Sequence, residues 1–241
     1  MFVNNQNYFT DDDLIYNPSS RIPVCICIDT SGSMKWYDDT DSSRIDRVRE
    51  GIKKLFDEIL KDETASISAE VCIVGFNAEP YIIRHFSLIN DVNEKLEIYS
   101  SGKGDIGVGV LEGLKLLEER KNTYKKNGID YYQPWLIIMT DGHSTGDQNV
   151  KVTLKDAHKK SIELERNKKL TIVPVYIGED LSNDKKAFED LSGFSNINSP
   201  ISIAATKFNE FFVWLGKSVS AASVQENVEL EFVDLTDWDE I

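Results

Sequence analysis

The stretch RIPVCICIDTSGSMKW, residues 21–36, joins a run of apolar residues directly to a cluster of oxygen-bearing side chains. The run from Val24 to Ile28 holds only β-branched residues and cysteines, which is typical of a strand buried on both faces of a parallel sheet. Asp29, Ser31 and Ser33 follow it at every second position. Because alternate residues of an extended chain point to the same side, we expect these three side chains to face one ligand at the carboxyl end of the strand.

Predicted strands and helices alternate along nearly the whole chain. Apolar runs predict strands at residues 21–29, 69–77, 80–87, 135–141 and 170–178, with a weaker strand at 200–204. Apolar residues spaced by three and four predict helices at residues 44–60, 92–99, 106–117, 152–166, 185–191 and 208–219. This order favours a single doubly wound α/β domain with a mostly parallel sheet and helices on both faces. The strand at 80–87 follows its predecessor so closely that it is expected to return antiparallel, at one edge.

The predicted domain occupies residues 21–223. Residues 1–20 are polar and acidic, which indicates a loose N-terminal arm. Residues 224–241 form an acidic tail with apolar residues interspersed, expected to dock on the domain or on a partner.

The charge of the chain narrows the possible partners. It contains 41 acidic and 27 basic residues, a formal net charge of −14. Nucleic acids and anionic membranes both require a positive surface, so neither is an expected partner. An acidic chain suits a cation or a basic protein surface.

The cysteines and the lack of long apolar segments indicate the cellular compartment in which the protein is expected. The chain has three cysteines, and Cys25 and Cys27 lie within the first predicted strand, as small core residues would in a reducing compartment. The N-terminal residues lack a signal-peptide pattern, and no apolar run is long enough to cross a bilayer. A cytoplasmic protein is expected.

A second acid, Asp141, ends the strand predicted at 135–141. Together, Asp29, Asp141, Ser31 and Ser33 would form a set of hard oxygen donors, which suits Mg²⁺, and also Mn²⁺ or Ca²⁺, better than zinc or copper. Turn formation or helix capping would explain any one of these residues. It would not explain two acids at the ends of two buried strands.

Asp29-x-Ser31-x-Ser33, paired with Asp141-Gly142, resembles the metal-ion-dependent adhesion site of von Willebrand factor A-type domains. The resemblance extends over residues 21–219, and the Arg-Ile-Pro lead-in and last helix are most similar to the TerY-like, tellurium-resistance-associated branch. It implies that Ser31 and Ser33 bind the metal directly, and that Asp29 and Asp141 bind it directly or through water. It also implies a bacterial stress or phosphorylation-signalling role.

The sequence departs from the family pattern before the helix that begins near Ile106. The family usually supplies a threonine ligand there, and alignment on Gly107 places Gly104 at that position with Asp105 beside it. Either Asp105 replaces the threonine as an oxygen donor, or the site is one ligand short.

The predicted function is a non-enzymatic interaction module, in which a protein partner supplies an Asp or Glu to the metal from an otherwise basic surface. One alternative is a Mg²⁺-dependent hydrolase that uses the same oxygens. Another is a nucleotide-binding protein, since Gly102–Gly107 matches Gly-x-Gly-x-x-Gly. The residues before that loop have helical rather than strand spacing, which disfavours a dinucleotide fingerprint. No serine-hydrolase elbow or P-loop occurs, and no catalytic residue is predicted.

Overall fold

A six-stranded sheet forms the centre of the computed structural model, which describes residues 17–38, 41–145, 148–178, 181–204 and 207–223. The strands are β1 (Ile22–Asp29), β2 (Ala69–Phe76), β3 (Pro80–Leu88), β4 (Trp135–Thr140), β5 (Thr171–Ile177) and β6 (Ile201–Ile203). Their order across the sheet is β3-β2-β1-β4-β5-β6. Every neighbouring pair is parallel except β2 and β3, so the predicted sheet with an antiparallel edge strand is confirmed.

Helices cover both faces of this sheet. Those of the described residues are α1 (Arg44–Lys61), α2 (Glu63–Ser68), α3 (Ile106–Asn127), α4 (Gln148–Arg166), α5 (Lys185–Ser192) and α6 (Phe208–Ala222). The apolar residues of α1 and α6 share one buried cluster with one face of the sheet. Those of α3, α4 and α5 share a second cluster with the other face. The doubly wound architecture is therefore confirmed.

Strand β1 is buried along its whole length. Its three isoleucines and Val24 lie in the cluster beneath α1 and α6, whereas Cys25 and Cys27 lie in the cluster beneath α3, α4 and α5. Because both faces are covered, neither set of alternate positions tolerates a polar side chain, which explains the uninterrupted apolar run. All three cysteines of the chain are free thiols in the interior.

The strand order creates a crevice between β1 and β4. Strand β1 pairs with β2 on one side and with β4 on the other, so the connections leave β1 and β4 in opposite directions across the sheet. Such a reversal opens a ligand-binding crevice at the carboxyl ends of the strands. Asp29 is the last residue of β1, and Asp141 directly follows β4. The fold thus brings both predicted acids to the same crevice.

The helix predicted at residues 92–99 is wrong. Apart from a turn at 92–93 the segment has no regular structure, and exposure alternates strictly from Asp91 to Ser100. Val92 and Leu96 are four residues apart, a spacing that fits a helix and also an extended chain. Ile98 decides between the two, because it is buried while the neighbouring Tyr99 is exposed.

The ends of the chain are described only in part. Residues 17–20 of the predicted arm contact the domain, since Asn17 Nδ2 donates to the Ile67 carbonyl at 2.8 Å and Arg21 Nη2 donates to the Asn17 carbonyl at 3.0 Å. Residues 1–16 and the predicted tail at 224–241 lie outside the described residues. No helix in the described ranges combines the length and the apolar character needed to span a membrane.

Candidate metal centre

Asp29 ends β1 with both carboxylate oxygens hydrogen-bonded. The Ser31 backbone N–H donates to Oδ1 at 2.7 Å, and the Thr140 hydroxyl donates to Oδ2 at 2.6 Å. Thr140 reaches it because β1 and β4 run side by side in parallel register. These contacts fix the carboxylate, which is 3% exposed, at the floor of the crevice.

Next to Asp29, the side-chain oxygens of Ser31, Ser33 and Asp141 contact one another in that order. The chain direction changes after Ser31, where residues Gly32–Lys35 form a 3₁₀ turn instead of the expected extended segment. The two hydroxyls nevertheless lie 3.1 Å apart, and Ser33 Oγ donates to Asp141 Oδ1 at 2.8 Å. The structure therefore brings together four of the five predicted ligand side chains.

An ion pair that the sequence analysis missed joins this group to α1. Arg44 Nη1 donates to Asp141 Oδ2 at 2.6 Å. Its Nε and Nη2 donate to the two oxygens of Asp38 at 2.5 and 2.6 Å, and Arg47 Nη2 contacts Asp38 at 2.8 Å. Arg44 is the first residue of α1, where a positive charge is unfavourable because it opposes the helix dipole. This was the one signal in the sequence that a nearby acid compensates for that charge.

The acids of the crevice repel one another. Burial raises the pKa of Asp29 to about 6, and the negative charge of Asp141 adds to the rise against the hydrogen bonds from Thr140 and Ser31. Burial alone would lower the pKa of Arg44, but Asp38 and Asp141 more than offset this and hold the pKa above its ordinary value. A further cation beside Asp29 would stabilise its ionised form.

Gly104 borders the Asp29 carboxylate. A Cβ at this position would lie 3.2 Å from Asp29 Oδ2 and 3.5 Å from Ser31 Cβ. The position that the family fills with threonine is thus next to the candidate site, and its glycine provides no side-chain oxygen.

Asp105 is the N-cap of α3, and its carboxylate accepts the Val108 N–H at 3.3 Å. Burial raises the pKa of Asp105, and neither Asp29 nor Asp141 is among the causes of that shift. Among the described residues no three His, Cys, Asp or Glu side chains converge on a point that could hold a metal, so Asp105 does not form a three-acid cluster with Asp29 and Asp141. A ligand role for Asp105 stays a prediction.

The glycine-rich loop before α3 does not have the surroundings of a phosphate-binding loop. It follows the irregular segment at 89–101 and not a strand. The first turn of α3 already uses its amide hydrogens, because Ile106 N donates to Ser144 Oγ at 3.1 Å and Val108 N donates to Asp105. Phosphate binding at a helix start depends on such amides being free.

Two carboxylates and two hydroxyls therefore converge at the strand ends. They are all hard oxygen donors, which fit a cation such as Mg²⁺, Mn²⁺ or Ca²⁺, whereas structural zinc sites are built mainly from Cys and His. The residues present fit a divalent cation. Arg44 is already bound to Oδ2 of Asp141, the oxygen that Ser33 does not contact.

Comparison with known proteins agrees with this fold. The von Willebrand factor type A domain model matches residues 24–211. The PilB minor pilin from Streptococcus sanguinis shares 14% identity with a TM-score of 0.58, over 84% of this chain and 62% of that one. The vWF domain of the type V pili tip protein Mfa5 from Porphyromonas gingivalis shares 11% identity with a TM-score of 0.58, over 88% of this chain and 99% of that one.

A third similar structure is proximal thread matrix protein 1 from the mussel byssus, solved with a zinc-occupied MIDAS motif. It shares 14% identity with a TM-score of 0.55, over 86% of this chain and 47% of that one. The chain thus spans less than two thirds of the pilin and of the mussel protein. No curated protein matches the sequence. Since the family model covers residues 24–211, most of the sequence, the chain belongs to the von Willebrand factor type A domain family.

Proposed function

We propose that this domain binds a divalent cation through Asp29, Ser31, Ser33 and Asp141, and through that cation a carboxylate of a protein partner. The bound cation supplies the positive charge that attracts the partner's Asp or Glu. The domain itself orients the four oxygen-bearing side chains at the crevice between β1 and β4.

One observation carries the proposal. The side chains of Ser31, Ser33 and Asp141 form a continuous series of oxygen contacts of 3.1 and 2.8 Å, beside an Asp29 carboxylate held by Ser31 and Thr140. Hydroxyl ligands are neutral, so a cation bound directly by Ser31 and Ser33, with the two acids acting through water, keeps much of its charge for an incoming carboxylate.

The same contacts favour binding over catalysis. Both oxygens of Asp29 accept hydrogen bonds, and the two oxygens of Asp141 are taken by Ser33 and Arg44. These bonds hold both carboxylates in fixed orientations at the crevice, as a preformed cation site requires. We therefore propose a non-enzymatic interaction module.

The finer identity rests on the sequence. Mg²⁺ as the resident ion follows from the hardness of the donors, and the mussel protein with zinc in its MIDAS motif makes the ion a matter for measurement. The TerY-like assignment, the stress or phosphorylation-signalling role and the cytoplasmic location are carried by sequence resemblance and composition.

Calorimetric titration tests the metal site. We expect Mg²⁺ and Mn²⁺ to bind the wild-type chain, and Ser31→Ala/Ser33→Ala to weaken binding by at least about tenfold while the fold is retained. Ser218→Ala/Ser220→Ala is a matched control, because it makes the same change at the same spacing near the end of α6. Equal affinities for the wild type and the Ser31/Ser33 variant would rule out these ligands.

A further inference from the structure

Two consecutive aromatic side chains lie exposed beside the candidate metal centre. Trp36 is 62% exposed and Tyr37 is 57% exposed, only three and four residues beyond Ser33. A single exposed apolar side chain is normal on a protein surface. Adjacent exposed Trp and Tyr residues next to a binding site match the side chains that dominate protein interfaces.

Backbone hydrogen bonds hold Trp36 at this place. Its N–H donates to the Ser33 carbonyl at 2.9 Å, and its carbonyl accepts the Arg44 N–H at 2.9 Å. The Arg44 guanidinium lies 5.4 Å from the centre of the indole ring and also binds Asp141. Trp36 is therefore fixed relative to the oxygen ligands, and little ordering is needed when a partner contacts it.

The loop at residues 99–104, which lies against the loop after β1, has a similar surface. The Ser101 N–H donates to the Thr30 carbonyl at 2.7 Å, and the Gly32 N–H donates to the Gly102 carbonyl at 2.9 Å, so the two loops touch. Tyr99 on the second loop is 68% exposed.

Each loop also carries one exposed lysine, Lys35 beside Trp36 and Lys103 beside Gly104. Neither lysine has an ion pair with any residue in the described part of the chain. Asp41 is exposed farther along the first loop, so the exposed surface is mixed in charge, and its two lysines are the exposed charged residues nearest in sequence to Ser33 and Gly104.

We propose that the partner presents an acidic segment in which the metal-binding Asp or Glu is flanked by an aromatic or aliphatic side chain that packs on Trp36 and Tyr37. The proposal rests on the proposed function and specifies its partner. Lys35 and Lys103 favour acidic over basic residues next to that carboxylate. This revises the expectation of a basic surface around the partner's acid, which the net charge alone had suggested, for the contacts nearest the metal.

Selection from a random peptide library on the full chain tests this, with saturating Mn²⁺ during binding and release by EDTA. We expect the released peptides to contain an Asp or Glu with an aromatic or aliphatic neighbour and to be poor in Lys and Arg. One selected peptide is then synthesised as the probe. Trp36→Ala/Tyr37→Ala is expected to weaken its binding by at least about tenfold and to change the calorimetric Mn²⁺ affinity by less than about threefold.

Ile67→Ala/Ile197→Ala is the matched control, because both isoleucines are exposed and lie before the amino ends of β2 and β6, opposite the crevice. It should bind the probe as the wild type does. Acidic peptides without an apolar neighbour, peptides rich in Lys and Arg, or a Trp36/Tyr37 variant with wild-type affinity would overturn this inference and leave the metal site intact. Failure of the wild-type chain to bind Mn²⁺ would overturn the proposed function and this inference together.

Discussion

Ser33 and Arg44 divide the carboxylate of Asp141 between them, one oxygen each. A guanidinium this close opposes a second cation electrostatically, although it also neutralises Asp141 when no metal is bound. We therefore expect Arg44→Met to increase Mn²⁺ affinity by about fivefold, roughly 1 kcal/mol, in calorimetry. The metal-free variant should lose about 1 to 3 kcal/mol in urea unfolding, because Asp38 and Asp141 lose their shared partner.

Lys53→Met is the control for that substitution. Lys53 lies on the same helix and pairs with Glu50 at the surface. Its loss should change neither quantity appreciably, since exposed ion pairs contribute little. Weaker Mn²⁺ binding by Arg44→Met would show that Arg44 chiefly orients Asp141.

The raised pKa of Asp29 predicts a pH dependence of metal-free stability. Between the unfolded pKa near 3.9 and the folded pKa of about 6, the native state binds a proton that the unfolded state has released. The contribution of Asp29 to stability is therefore fully present at low pH and is lost as the pH rises through about 6. Urea unfolding of the wild type and Asp29→Asn should show their stability difference shifting by about 2 to 3 kcal/mol, in favour of Asn, between about pH 4 and pH 7.5. A constant difference would contradict this pKa.

Substitutions at Asp105 distinguish a helix-capping role from a metal-binding role. Since its carboxylate accepts the Val108 N–H, Asp105→Ala should cost about 1 kcal/mol of stability, and Asp105→Asn should preserve most of it. Because Asp105 does not form a three-acid cluster with Asp29 and Asp141, we expect Mn²⁺ affinity to change by less than about threefold in either variant. A tenfold loss in both variants would instead identify Asp105 as the replacement for the family's threonine.

Some helices and strands were predictable from the sequence and other segments were not. Strand β1 and helix α1 were predictable because each buries a complete set of periodic positions, at every residue for β1 and in one stripe for α1. The segment at 92–99 was not predictable, because every second residue is at least partly buried and two of these residues, Val92 and Leu96, are also spaced as in a helix. The 3₁₀ turn at Gly32–Lys35 also escaped prediction, since residues spaced by two fit an extended chain equally well.

The packing of α3 on α4 depends on a glycine. A Cβ on Gly107 would lie 2.6 Å from the Leu154 backbone nitrogen and 2.8 Å from the Thr153 carbonyl carbon, neither of which can move aside easily. We expect Gly107→Ala to cost about 2 to 4 kcal/mol in urea unfolding, despite the better helix propensity of alanine. Gly142→Ala is the control, because nothing lies within 4 Å of its Cβ position. Equal stability of the two variants would show that α3 and α4 can separate at little cost.

For the whole molecule, the sequence was informative about the sheet and about the acids at its strand ends, because strand order brings Asp29 and Asp141 together whatever the loops do. Long-range side-chain pairing was not predictable. The Arg44–Asp141 contact joins residues 97 positions apart, and no local pattern indicates which acid an arginine will meet. The net charge of −14 likewise describes the chain as a whole and not the lysines and aromatic residues nearest the crevice.

The proposed function requires that a metal held by Asp29, Ser31, Ser33 and Asp141 keeps a coordination position for a partner's carboxylate. Water-proton relaxation can be measured on the Mn²⁺-loaded chain to test this requirement, because relaxation falls when a ligand displaces water from the bound ion. A short blocked peptide with one Asp should lower the relaxation in a saturable manner, its Asn counterpart should not, and Ser31→Ala/Ser33→Ala should bind too little Mn²⁺ to show either effect. Identical responses to the Asp and Asn peptides would show that no such position exists, and relaxation equal to that of free Mn²⁺ in the wild-type chain would show that no metal is bound.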